Sequence, residues 1–424
     1  MQSIQLDRSP ACAAALSAGD PLKDYRERFF IPKADGGSEC VYLSGHSLGL
    51  QPRTAHDYIR HELEDWQRFG VEGHFRAMNP WVSYHKLLTE QTARLIGAEP
   101  VEVVVMNSLT VNLHLMMVSF YRPSAQRHKI LIEGGAFPSD QYAVKSQIRF
   151  HGFDPASSLL ELKPRPGESW LREEDILQTI EEEGNTIALV LLGGVNYATG
   201  QAFDIASIAK AGHAKGCMVG SDLAHAVGNL ELKLHDSGVD FAVWCSYKYL
   251  NGGPGCVGGC FVHQRHARDF TLPRFAGWWG HNEQQRFLMA PEFDPLVGAE
   301  GWQLSNAPVF SMAGLRASMN IFDEVGMARL RSKSVELTHY LEFLLLPYAG
   351  EKFRVITPAE PLSRGAQLSV RLLRDGRSVC ERLIHQGIIC DWREPDVLRI
   401  APVPLYNTFS DVFRFVEVFA GLLT

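Results

Sequence analysis

Two short segments hold residue types that could do chemistry. Ser221-Asp222-Leu223-Ala224-His225 follows the apolar run CMVG, and Ser246-Tyr247-Lys248-Tyr249 follows FAVWC. A lysine amine can form a Schiff base with an aldehyde. A carboxylate can keep a pyridine nitrogen protonated, so that the ring draws electrons from a substrate. Pyridoxal phosphate (PLP) asks for both. Ligands of open α/β sheets gather at the carboxyl ends of strands, where both segments would lie. Asn107-Ser108-Leu109-Thr110 ends another apolar run and opens the stretch VNLHLMMVSFY, whose first N–H groups could receive a phosphate. Phe137, after KILIE, is placed to stack on a ring. Singly, Asp222 reads as a helix cap and Lys248 as a solvated lysine. Their pairing and the glycine-rich stretch after Lys248 favour the cofactor reading.

Two other motifs compete. Gly45-His46-Ser47-Leu48-Gly49 matches the G-x-S-x-G elbow of serine hydrolases, with Ser47 as nucleophile. An elbow normally follows several sheet strands, whereas this one lies near the chain start, so it reads better as a turn at a site's edge. Gly253-Pro254-Gly255-Cys256-Val257-Gly258 is formally G-x-G-x-x-G. A dinucleotide site needs a helix after the glycines, and CVGGCFVH reads as a strand. None of the eight cysteines forms a CxxC pair, so no metal ribbon is expected; they read as buried thiols of a reducing compartment.

These residues need elements to position them. TAHDYIRHELEDWQRF (54–69) sets Ile59, Leu63, Trp66 and Phe69 at helical spacing, and 84–98 reads as a second helix. Residues 70–81, GVEGHFRAMNPW, read as a loop. Then VEVVVMN, KILIE, IALVLLGGV, CMVGSDL and FAVWCSY alternate with helical stretches such as REEDILQTIEEEG and DIASIAKAGHAKG. Doubly apolar strands alternating with helices mean a mainly parallel sheet covered on both faces. A helical region over about 311–347 leads into QLSVRLL, the helix SVCERLIHQG, the runs IICDW and VLRIAP, and a last helix from Ser410. The expected organisation is an α/β chain with an N-terminal segment (1–79), a large domain (80–310) and a small α+β domain (311–424).

Composition sets limits. The chain has 424 residues, 46% hydrophobic and 21% charged, with net charge -7. That balance argues against nucleic acid as a partner. No apolar run nears the ~20 residues of a membrane span, and MQSIQLDRSPACAAALSAGD lacks the pattern of a secretory leader. A cytoplasmic enzyme is expected.

The segments YLSGHSLGLQP, NSLTVNLHL, FPSDQYA, NYATGQ, GWWGH, LSNAPVF and RIAPVPLYN, with the long run from Ala211 to Gly255, resemble the kynureninase family of fold-type I PLP enzymes over nearly the whole chain. The resemblance implies hydrolysis of L-kynurenine or 3-hydroxykynurenine by a homodimer with shared sites. It implies that Lys248 carries the cofactor, Asp222 pairs with the pyridinium beside His225, and Phe137 stacks. Pro138, Ser139 and Asp140 would shape that loop, and Leu109, Thr110 and Tyr247 would hold the phosphate region. Trp278 and Asn306 would come from the second subunit, Arg399 would grip the α-carboxylate, and His74 and Asn306 would meet the aromatic end. Gly193 departs from the family's usual Ser or Thr, which removes a hydroxyl contact. Tyr247 is the expected proton-transfer residue. Strand neighbours face opposite sides, so the backbone must bend for Tyr247 and Lys248 to reach one cofactor. Another fold-type I enzyme, a desulfurase or an aminotransferase, is the nearest alternative. A desulfurase needs a mobile thiol, which Cys380, on a helix, and Cys390, on a strand, would not offer.

Overall fold

The computed structural model describes residues 6–423; Met1 to Gln5, the start of the stretch read for a leader, lie outside them. After a short strand β1 (Val41–Tyr42), seven strands form one sheet: β2 (Val103–Val105), β3 (Lys129–Glu133), β4 (Leu159–Leu162), β5 (Ile187–Gly193), β6 (Met218–Asp222), β7 (Phe241–Cys245) and β8 (Gly258–Val262). Their order is β2-β8-β7-β6-β5-β3-β4. Only β8 runs against its neighbours. The glycine-rich stretch 253–258 therefore feeds a strand, not a helix, as the residues indicated. β4 was not foreseen, and Val101–Glu102 turn in a 3-10 helix before β2 begins.

Alternation along the strands builds a core on each face. Leu131, Val190, Leu192, Val219, Ala242, Trp244 and Phe261 point into one cluster. Ile130, Ile132, Leu189, Leu191, Val243, Cys260 and Val262 point into the other. Burial on both faces is why these runs carry no polar alternation.

A four-stranded antiparallel sheet forms from β9 (Phe353–Val355), β10 (Leu368–Leu372), β12 (Asp391–Arg393) and β13 (Val397–Ile400), while β11 (Ile388–Ile389) pairs in parallel with β1. Ala13, Val41 and Leu43 share a third core with Leu341, Phe353, Leu368, Ile400 and Phe415.

Three local expectations change. The region over 311–347 is two helices, Val309–Val325 and Met327–Leu345, broken at Gly326, whose φ of 79° is left-handed. The first packs on the large core through Met312, Leu315 and Phe322. Residues 70–81 are not all loop, because Gly73–Arg76 form a helical turn carrying His74. The second helix of the N-terminal part splits into a 3-10 stretch, Trp81–Leu88, and an α-helix, Thr89–Ile96. The helix Ala55–Phe69 forms as expected, and its apolar row divides: Ile59 packs on the large core while Leu63 and Trp66 are exposed and Glu62 and Asp65 are buried. Glu62 earns its place by accepting from Asn79, Trp81 and Tyr84, and Asp65 accepts from the Met78 N–H.

Candidate active site

β6 ends at Asp222, whose Oδ1 accepts the Ala224 N–H at 2.7 Å. β7 ends at Cys245, and the chain then folds back, with Gly252 N–H donating to Ser246 O and Asn251 N–H to Lys248 O. This is the bend the sequence demanded: it turns Tyr247 and Lys248 into one pocket. The GHSLG turn packs on it. Gly49 N–H donates to Tyr247 O at 2.8 Å. A Cβ on Gly49 would lie 2.3 Å from Lys248 O, so the position requires glycine. The Ser47 N–H donates to Ser44 O at 2.9 Å, and the turn comes before every strand of the large sheet, so it is not a strand-to-helix elbow of that sheet.

The opposite wall starts the helix Leu109–Phe120. Ser108 leaves its first N–H groups uncapped, and Asn107 before it is left-handed (φ 49°). Thr110 Oγ1 meets Ser139 Oγ at 2.8 Å. Pro138, Ser139 and Asp140 are the first turn of the helix Pro138–Phe150, not a loop. The pocket is lined by Leu109, Thr110, Phe137, Ser139, Asp140, Asp222, His225, Tyr247 and Lys248. Four more lining residues were not singled out from the sequence: Glu133, Val195, Tyr197 and Ala224.

The pocket is electrostatically loaded. Lys248 Nζ lies 3.0 Å from His225 Nε2 and 5.9 Å from the centroids of Phe137 and Tyr247. Burial, and then the Lys248 charge, holds His225 well below the usual imidazole range. Burial raises Asp222, and burial together with the Asp222 charge raises Asp140 well above the carboxylate range. Burial pushes Glu133 up to about 7 against the bond from Asn196, with Asp222 adding to the rise. Burial also raises the Tyr247 phenol, which keeps its proton at neutral pH. An uncapped helix start, a lysine amine, an aromatic face and a buried carboxylate fit PLP from phosphate to ring nitrogen. The Asp140 Oδ1 atom is buried without a partner in this pocket, as a site built for a polar ligand would leave it.

The other expected residues lie elsewhere. Arg399 is not an open fork: Nη1 donates to Tyr197 O at 2.9 Å and Nη2 to Asp391 Oδ2 at 2.5 Å, leaving its Nε without a partner. Asp391, unremarked in the sequence, thereby fixes the guanidinium. His74 and Asn306 line a separate depression with Trp66, Trp81 and Phe310. Trp278 lines neither; it is exposed, and its Nε1 donates to Arg286 O. The ring of Phe137 meets Tyr197 edge-on at 5.2 Å. Gly193 pairs with Asp222 in the sheet, and a Cβ there would lie 3.1 Å from Glu133 Oε1. His46 is fully buried near His225, with centroids 6.4 Å apart.

Solved structures share this architecture. A C-DES mutant carrying glycine covalently linked to its PLP cofactor matches with a TM-score of 0.76 at 17% identity, covering 93% of this chain and 98% of that one. The cysteine desulfurase CsdA from Escherichia coli matches at 0.76 and 17%, covering 99% of each. At that identity the likeness speaks for the fold, which is that of the fold-type I PLP-dependent enzymes. Sequence narrows the class. The family model for the kynureninase C-terminal domain matches residues 330–419. Kynureninases from Koribacter versatilis (strain Ellin345) and Myxococcus xanthus (strain DK1622) are 65% and 61% identical to it, covering 100% and 97% of this chain and the same shares of their own. The chain belongs to the kynureninase family.

Proposed function

We propose that this chain is a PLP-dependent hydrolase that cleaves L-kynurenine, or its 3-hydroxy form, to L-alanine and the corresponding anthranilate. The observation that carries the reading is the Lys248 amine and the buried Asp222 facing one pocket at the strand ends, in a chain 65% identical over its full length to a kynureninase. Bound PLP supplies the electron sink for chemistry at the substrate's α-carbon. The residues do the rest. Lys248 would anchor the cofactor, and its amine would take up and return the substrate's α-proton. Asp222 keeps the ring nitrogen protonated, and His225 bears on the Lys248 amine. Phe137 covers a ring face. Leu109, Thr110 and Tyr247 hold the phosphate region, with Pro138, Ser139 and Asp140 shaping the first helical turn beside it. Tyr247, protonated at neutral pH, exchanges a proton with the departing aromatic half as water adds to its carbonyl. Arg399, held by Asp391 and Tyr197 O, receives the α-carboxylate through its remaining N–H groups.

Trp278 and Asn306 belong, in this reading, to the neighbouring pocket of a homodimer, and His74 faces the aromatic end of the substrate. Their distance from the same chain's Lys248 pocket supports that assignment. So do the exposed apolar side chains of Trp66, Phe75, Met78, Phe287, Leu288 and Met289, of which Phe75 and Phe287 are in ring contact. In this reading the chain divides into residues 1–79, 80–310 and 311–424, although the helix Val309–Val325 packs on the core of the large domain. The reaction is placed in the cytoplasm, in tryptophan degradation or NAD synthesis. The eight buried free thiols fit a reducing compartment, and no helix among the described residues is long and apolar enough to cross a membrane. The same burial leaves no mobile thiol for a desulfurase, although Cys390 lies between strands rather than on one.

The test is direct. Purified protein should absorb in the visible, lose the band on borohydride treatment with label on Lys248, and turn over both substrates in steady-state assays. A colourless protein inert toward both would overturn the reading.

A further inference from the structure

At the carboxyl ends of β3, β5 and β6 stand Glu133, Gly193 and Asp222, in adjacent strands. The middle one has no side chain. Gly193 is paired with Asp222 across the sheet, and Glu133 Oε1 sits 3.1 Å from where a Gly193 Cβ would be. The Glu133 carboxyl therefore leans over the glycine toward Asp222, in space that any larger residue would contest. Its other oxygen, Oε2, accepts from Asn196 Nδ2 at 3.0 Å, and Asn196 Oδ1 is in turn held by the N–H groups of Ala198 and Thr199. Glu133 is thus aimed by a second residue and is only 6% exposed, yet it lines the pocket. Ion-pair partners hold other buried acids, Asp20, Glu102 and Asp240 among them; Glu133 has none among the described residues. The other titratable and charged groups lining the pocket are Asp140, Asp222, Lys248, His225, Tyr197 and Tyr247. Three carboxyls in one buried space cannot all be charged independently, so they hold their protons as a set.

We propose that Glu133 is a positioning residue that acts through Asp222: leaning over Gly193, its carboxyl helps set how firmly Asp222 keeps a proton on the cofactor's ring nitrogen. The inference rests on the PLP reading above and deepens it. Its chemistry is electrostatic. When Glu133 is ionised, a second negative charge stands behind the Asp222–ring pair and favours the protonated ring. Burial, with Asp222 adding, pushes Glu133 up to about 7, so its charge changes near neutral pH.

The experiment uses the holoenzyme loaded with PLP carrying nitrogen-15 in its ring. The pH at which that nitrogen loses its proton is followed by NMR in wild type, Glu133→Gln and Gly193→Ala, with bound cofactor quantified in each. Glu133→Gln keeps the shape and can still accept from Asn196. With full loading, deprotonation of the ring should move down by about one pH unit. Gly193→Ala, whose new Cβ presses on Glu133 Oε1, should move it the same way by less. A purely structural role for Glu133 would lower loading and leave the titration in place. An unchanged titration in a fully loaded Glu133→Gln protein overturns the inference. If that variant fails to load, Gly193→Ala carries the decision by the same criterion. A wild-type protein that binds no PLP overturns the underlying reading, and this one with it, and is told apart by its missing cofactor signal.

Discussion

The two ends of the large sheet treat buried carboxyls in opposite ways. At the amino ends, Asp240 precedes β7 and is as buried as Glu133. Burial opposes its charge, yet hydrogen bonds from His213, His266 and the Val219 N–H, with Arg265 at 2.7 Å, outweigh that and hold it far below the carboxylate range. Glu102 at the same end is likewise fully buried and accepts from His235 and the Gln264 N–H. At the carboxyl ends, Glu133, Asp140 and Asp222 are all displaced upward, and one lysine faces all three. The amino end is a closed network in which each charge meets its partner. The carboxyl end leaves charge uncompensated, which stability alone would not select. Burial does not decide what a carboxyl does; the completeness of its partners does.

The largest effect expected at either end is at Lys248. Lys248→Ala should abolish turnover together with the visible absorbance of bound cofactor, while urea unfolding stays close to wild type. Turnover at the wild-type rate would remove this end's claim to be the active one. Asp240→Ala should do the reverse. Removing Asp240 leaves the buried Val219 N–H without its acceptor, at a cost of about 1–3 kcal/mol, while the partly exposed His213 and Arg265 turn to water. The loss should show in urea melts at neutral pH with the cofactor spectrum of the folded protein unaltered. Because the folded Asp240 is depressed, its stabilisation is complete above the unfolded value of about 3.9 and fades as pH falls below it. Wild type and variant should therefore converge in acid.

Glu133 should give the opposite pH slope. Its folded value of about 7 exceeds the ordinary 4.5, so the folded protein holds a proton that the unfolded chain releases. Stability from this group is present below pH 4.5 and is lost as pH rises to 7. Glu133→Gln lacks that loss. In cofactor-free protein, the variant's stability relative to wild type should rise across that window by an amount on the order of 2 kcal/mol, then level off. A flat difference would mean that Glu133 is solvated after all, and the contrast between the two ends would shrink to Asp140 and Asp222.

Why Glu133 escaped notice in the sequence is instructive. Asp222 and Lys248 were legible because Asp222 closes one apolar run and Lys248 closely follows another. KILIE also ends in an acid, but its meaning depends on strand order: β3 lies beside β5 only because the chain crosses over, and Gly193 matters only once it stands between Glu133 and Asp222. The same holds for Asp391, which acts by reaching Arg399 across the small sheet. The sheet itself was readable because doubly buried strands advertise themselves by composition. The facing of the helix Ala55–Phe69 was not, since its apolar row divides, Ile59 on the core but Leu63 and Trp66 exposed, while Glu62 is buried under a tyrosine and a tryptophan. A hydrophobic stripe cannot say whether it meets its own core or another subunit.

The smallest expected effect belongs to that exposed surface, where His74 sits. His74 Nδ1 lies 3.0 Å from Val71 O. A carbonyl can only accept, so Nδ1 donates, and in the neutral ring Nε2 is then the acceptor. The ring meets Trp81 edge-on at 5.5 Å, which fixes its plane beside Asn306 in the aromatic-lined depression. A 3-hydroxyl on the substrate ring could donate to that Nε2; an unsubstituted ring would leave it unpaired. A site so built discriminates by the strength of one hydrogen bond, about 0.5–1.5 kcal/mol, or up to about tenfold in kcat/KM. The expected preference is therefore for 3-hydroxykynurenine. His74→Phe keeps a ring to pack against Trp81 and removes the acceptor, so it should narrow the ratio of the two kcat/KM values while sparing kynurenine turnover. An unchanged ratio would show that His74 does not read the hydroxyl and would pass the question to Asn306, whose amide is the other polar group facing the same depression.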